Sequence, residues 1–223
     1  MRNTGRAGHF DVFGIECANI RKSIQAEEIA MSNFFQSLGR TVLAGFVIVG
    51  LLVFASSSLR LGDHAWWAFV MRWLHVLCGI MWIGLLYYFN FVQMPSMPKI
   101  PDEQKPAVGK VIAPAALFWF RWAAAATVVT GITVASMFGY LGKALALSAG
   151  FTAIGVGMWI ALVMAFNVWF IIWPAQKKAL GIVDADAETK AACARRAMTF
   201  SRMNTMLSIP MLFCMVAQQN GGF

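Results

Sequence analysis

Five apolar runs constrain this chain more than any other feature. They lie at roughly Leu38–Leu59, Ala68–Val92, Ala113–Leu141, Leu147–Trp173 and Thr199–Ala217. A bilayer core about 30 Å thick is crossed by about 20 predominantly apolar residues in helical form. An isolated strand would leave its peptide groups unpaired in lipid, so each run must be a helix. Only 13% of the 223 residues are charged, against 59% hydrophobic, and the mean hydropathy is +0.65. A soluble domain carries about a quarter charged residues. The reading is an all-α integral membrane protein, a bundle of about five transmembrane helices.

The bases orient it. Lys and Arg number 18 against 10 Asp and Glu, giving a formal net charge of +8. With the N-terminus in the cytoplasm, the inner side collects Arg2, Arg6, Arg21, Lys22 and Arg40, then Lys99, Lys105 and Lys110, then Lys177, Lys178, Lys190, Arg195 and Arg196. Only Arg60 and Lys143 fall outside, and Arg72, Arg121 and Arg202 lie within spans. Bases gather on the cytoplasmic side of membrane proteins, so the N-terminus is expected in and the C-terminus out. The same bias accounts for most of the charge without a nucleic-acid partner.

Residues 1–30 are polar and basic and lack the apolar core of a signal peptide. They read as a flexible extension before a start at Met31, leaving 31–223 as one transmembrane domain. Between the second and third runs, PSMPKIPDEQKP carries four prolines and cannot be one helix. After the fourth, Gly181 reads as a helix stop. Asp184 or Asp186 then caps a cytoplasmic helix that ends at Arg195 and Arg196 and leads into the fifth span. Cys17, Cys78, Cys193 and Cys214 form no C-x-x-C pair and suggest no disulfide framework. There is no HExxH, GxSxG or P-loop, and no Asp or Glu lies in a span. A hydrolase, an NTPase and a carboxylate-relayed proton pump are therefore not expected.

Ionisable residues inside spans are costly, about 2.5–3.5 kcal/mol on insertion scales, and usually face the bundle interior. With no carboxylate in the spans, the three arginines call for carbonyls, Asn90, Asn167, Asn204, water, lipid phosphate or an anionic ligand. An acidic cofactor edge such as a haem propionate would suit them. His75 is the only histidine in a span. Arg72, His75, Gly79, Trp82, Leu86 and Phe89 share its helical face, with Gly79 leaving room beside the imidazole and Trp82 as a wall. Packing alone is the bland reading of a histidine among small residues. Ala123, Thr127, Gly131 and Ala135 make a small-residue face on the third span, and Gly150, Gly155 and Gly157 sit near the outer end of the fourth. Trp66, Trp67, Trp73 and Trp173 are interfacial anchors. Met203, Met206, Met211 and Met215 enrich the fifth span in methionine.

HVLCGIMWIGLLYYFNFVQ, ALFWFRW and FNVWFIIWPAQKKALG resemble the membrane domain of the bacterial urate oxidase (urate hydroxylase) family, which joins a membrane part to a cytochrome c. The likeness runs from about Ala68 to Ala217 and is nearest to short stand-alone forms. His75-x3-Gly79-x2-Trp82-x-Gly84 is also similar to the first-helix pattern of a haem-binding membrane family that includes a protoporphyrinogen oxidase. The resemblance implies a redox setting: a haem b with His75 as its metal ligand, Arg72, Gly79, Trp82 and Arg121 around the cofactor, and a c-type cytochrome or larger membrane complex as partner. No C-x-x-C-H is present, so complete urate oxidation is not expected of these residues. His64 or a methionine would supply a second axial ligand. The leading expectation is a small protein of the bacterial inner membrane that carries electrons. The alternative is a non-catalytic membrane subunit docked through its small-residue faces. A third is a transporter whose arginines bind an anion.

Overall fold

A computed structural model describes Gln25, residues 32–56 and residues 59–220. The expected extension, residues 1–30, and the start at Met31 lie outside the described residues apart from Gln25. Five helices are long and apolar enough to cross a membrane: α1 (Leu38–Ala55), α2 (His64–Lys99), α3 (Lys105–Met137), α5 (Thr152–Ala179) and α6 (Ala187–Asn220). A short helix, α4 (Leu141–Leu145), lies between α3 and α5.

The chain forms two compact units that divide after Arg60. The first holds α1, none of whose residues is buried. The second, Leu61–Phe223, holds the other four long helices. The packed bundle of the second unit therefore holds four of the five long helices. Within it α2 packs on α3 and α5 on α6, and the two pairs close through α2 against α6 and α3 against α5. Trp82, Leu86, Phe120, Met164, Val168 and Met211 meet at the centre.

The helices outrun the apolar stretches that announce them. Pro95 and Pro98 lie inside helical turns at the end of α2, and the break comes only around Pro101. Proline cannot donate to the carbonyl four residues back, and its ring crowds that carbonyl. The chain answers with widened π turns over Tyr88–Gln93, Val108–Ile112 and Asn167–Ile172. Each ends beside a proline: Met94, Ala113 and Trp173, which precede Pro95, Pro114 and Pro174, donate to carbonyls five residues back. Such bulges let a helix pass a proline without breaking.

The stop and start signals before α6 fall where expected. Gly181 has φ +72°. Its N–H donates to Lys178 O (3.1 Å), and Ile182 N–H donates to Lys177 O (2.9 Å). This is the paired pattern of a left-handed helix stop. Asp186 Oδ1 accepts from Thr189 N–H at 2.7 Å and Oδ2 from Thr189 Oγ1 at 2.9 Å, satisfying orphan donors at the start of α6. The helix expected in the cytoplasm and the fifth apolar run are one continuous α6.

Candidate functional site

His75 sits where α2 crosses α3. Its Nδ1 lies 3.0 Å from Thr127 O and 3.2 Å from Thr130 Oγ1. A carbonyl only accepts, so Nδ1 carries the proton. The Thr130 hydroxyl gives its own hydrogen to Ala126 O at 2.6 Å, so it too receives from Nδ1. Nε2 is left unprotonated, with no hydrogen bond to the described residues. The ring lies on Gly131: a Cβ there would stand 2.9 Å from Cε1 and 3.2 Å from Nδ1. Glycine is therefore required at 131 for the imidazole to reach the carbonyl. At Gly79, offered as leaving room beside the imidazole, a Cβ would meet only Thr127 Cγ2, at 4.0 Å.

The other candidates spread along the bundle. Trp82, two turns beyond His75 and about 10 Å along the axis, is fully buried in the core. Its indole Nε1 has no acceptor among the described residues. Arg72 stacks on Phe138, its Cζ 4.3 Å from the ring centroid. Arg121 stacks on Trp173 at 3.7 Å and faces Trp169 at 5.6 Å. Phe138, just past the end of α3, lies seventeen positions from Arg121, about 25 Å. The structure thus keeps Arg72 near His75 and holds Arg121 towards the other end of the bundle. Arg202 is exposed on α6 and does not face the interior. His64 is the first residue of α2, eleven residues and about 16 Å of helix from His75. It does not fold back to form a second ligand.

The asparagines offered as arginine partners bind one another and α6. Asn167 Nδ2 donates to Asn204 Oδ1 at 2.8 Å, and Asn204 Nδ2 to Met164 O at 2.9 Å. Asn90 Nδ2 donates to Ser201 Oγ at 2.8 Å and to Leu86 O at 2.9 Å. Tyr87 and Ser208 share a hydrogen bond of 2.9 Å. Ser201, Asn204 and Ser208 form a buried polar stripe on α6. Sequence reasoning missed this stripe because the serines look like interruptions of an apolar run. Their i, i+3, i+7 spacing was the available signal. It also missed aromatic rings as the partners of Arg72 and Arg121.

The segment that holds most of this stripe also carries the family signal. Residues 133–221 match the Urate oxidase N-terminal family. The resemblance read from the sequence holds over this segment, which takes in α4, α5 and α6. It contains Asn167, Trp169, Trp173 and the polar stripe of α6. The match to the Urate oxidase N-terminal model begins beyond Arg72, His75, Gly79, Trp82 and Arg121. No curated protein and no solved structure matches the chain.

Proposed function

We propose that this chain is a small multi-pass protein of the bacterial inner membrane, N-terminus in and C-terminus out, that binds haem b through His75 and takes part in electron transfer. The observation that carries the reading is the fixed tautomer of His75. A histidine that ligates a metal usually donates its other ring N–H to a carbonyl, which orients the ring and raises its basicity. Thr127 O and Thr130 Oγ1 do this for Nδ1 and present Nε2. Haem b, when bound, supplies one-electron transfer at a potential tuned by its ligand and surroundings. Gly131 holds the imidazole against α3. Arg72, one turn closer to the outer end, keeps a cation beside the site through Phe138. Arg121 takes no part in it. The partner on this reading is a c-type cytochrome.

The alternative of a docked, non-catalytic subunit rested on small-residue faces. Those faces are used within the chain. Gly131 receives His75, a Cβ at Gly157 would lie 3.0 Å from Cys214 Cβ on α6, and one at Gly155 would press on Ala144 O. A haem titration with reduced-minus-oxidised spectra on purified protein tests the proposal. Wild type should give a Soret band that His75→Ala loses. Wild type that takes up no haem would sink the reading.

A further inference from the structure

We propose that the face between α3 and α5 is a binding site for one anionic phospholipid, its phosphate at Arg121 and Lys177 and an acyl chain in the groove beyond. An open apolar groove runs between the two helices, lined by Ala125 and Val129 of α3 and by Leu162, Phe166, Trp169 and Phe170 of α5. Trp169 belongs to both features, since it closes the groove and lies 5.6 Å from Arg121 Cζ. One turn further inward, Trp173 carries Arg121 at 3.7 Å and Lys177 at 5.6 Å on the same indole. Two cations thus share one ring at the end of an apolar channel.

Neither cation is neutralised. Among the described residues the ion pair found is Lys105 with Asp102, and no carboxylate pairs with Arg121 or Lys177. Arg121 Nη1 is buried without an acceptor among them. Stacking on indole satisfies a guanidinium's face but not its N–H donors. A phosphate would accept from those donors, and Arg suits that geometry. The length fits as well. From Trp173 to Leu162 is eleven residues, about 16 Å of helix, and half of a hydrocarbon core of about 30 Å is one leaflet. Basic pockets between spans on the cytoplasmic side are known places for anionic head groups, and the positive-inside orientation puts Lys177 there. The site is separate from His75 and does not depend on haem.

The test uses the full chain in mild detergent, titrated with phosphatidylglycerol, with phosphatidylcholine of the same acyl chains and with inorganic phosphate. Tryptophan fluorescence and thermal midpoint are the readouts. Phosphatidylglycerol should act at a concentration at least about tenfold lower than phosphatidylcholine, because only its net charge complements the two cations. Lys177→Gln, at the head end, should remove most of that preference. Ala125→Leu, which narrows the groove and leaves both charges, should weaken both lipids together. Equal response to the two lipids overturns the proposal. So does inorganic phosphate matching phosphatidylglycerol, which would make this a free-anion site. A phosphatidylglycerol response unchanged in both variants would place the lipid elsewhere.

Discussion

The two helix pairs of the second unit each bury a polar side chain against a neighbouring helix, and they finish the task differently. Between α5 and α6, Asn204 uses both ends of its amide: Oδ1 accepts from Asn167 and Nδ2 donates to Met164 O. Between α2 and α3, His75 uses one nitrogen and leaves the other open. An amide engaged at both its oxygen and its nitrogen, with 0% exposure, is out of reach of a ligand, so its role is to hold α5 on α6. A half-paired, half-buried imidazole has a lone pair to offer. Whether an unspent hydrogen-bonding site can be reached separates a structural polar residue from a candidate ligand, and residue type alone does not.

The largest expected effect tests the paired side. Asn204→Leu leaves the buried Asn167 amide without its acceptor. Stranding a buried polar group costs about 1–3 kcal/mol, and the lost bond from Asn204 Nδ2 to Met164 O adds to it. Thermal unfolding in detergent should show the loss, with the spectrum of any bound haem unchanged. A change in haem binding at Asn204→Leu would break the division between the two interfaces.

Next is Gly131→Ala. Its new Cβ would stand 2.9 Å from His75 Cε1, so the imidazole must withdraw from Thr127 O or α2 must shift. Overpacking of this kind costs about 1–3 kcal/mol. The informative readout is the reduced haem spectrum and its midpoint potential, which should move because the orienting carbonyl is lost. Gly79→Ala is the control, since its Cβ meets nothing closer than 4.0 Å and should leave both stability and spectrum alone.

Much of this fold was legible and much of the site was not, for physical reasons. The five spans follow from apolar length. Gly181 and Asp186 announced the end of α5 and the start of α6, because a left-handed stop and a side-chain cap depend on single residues. The true helix ends were hidden, since Lys105 and Lys110 of α3 and Pro95 and Pro98 of α2 lie beyond the apolar runs. His75 stood out as a lone histidine, but its neighbour Gly131 is 56 positions away, and nothing in the face of α2 points to it. The partners of Arg72 and Arg121 were sought among polar groups because insertion cost is usually relieved by hydrogen bonds. Aromatic faces relieve part of the same cost, and Trp173 reads in the sequence as an ordinary interfacial anchor.

A smaller change sharpens the contrast within α2 itself. Tyr87 gives α2 its bond to Ser208 of α6 at 2.9 Å, linking the two pairs. Tyr87→Phe keeps the ring and removes the hydroxyl. Ser208 Oγ still donates to Thr205 O at 2.7 Å, so it is not stranded. The cost should be about 0.5–1.5 kcal/mol, that of one ordinary hydrogen bond, and clearly less than Asn204→Leu. Equal losses by thermal unfolding would mean that the amide pair is no more than one bond among several.

The smallest effect lies at the start of α6, before the fifth apolar run, and asks whether α6 depends on its interior stripe or on its cap. The N–H and hydroxyl of Thr189 donate to the Asp186 carboxylate and hold its pKa below the usual value. A carboxylate depressed in the folded state binds its proton more weakly there than in the unfolded chain. Its contribution is therefore fully present above the unfolded value of about 3.9 and fades as pH falls below that towards the folded pKa. At neutral pH, Asp186→Asn keeps an acceptor at the cap and should change little. Between about pH 5 and pH 3, wild type should lose more stability than Asp186→Asn, which has no proton to take up there. The group is fully exposed, so the difference should be small beside that of Asn204→Leu. A pH-dependent loss as large as the Asn204→Leu effect would show that α6 is held at its end rather than along its buried face.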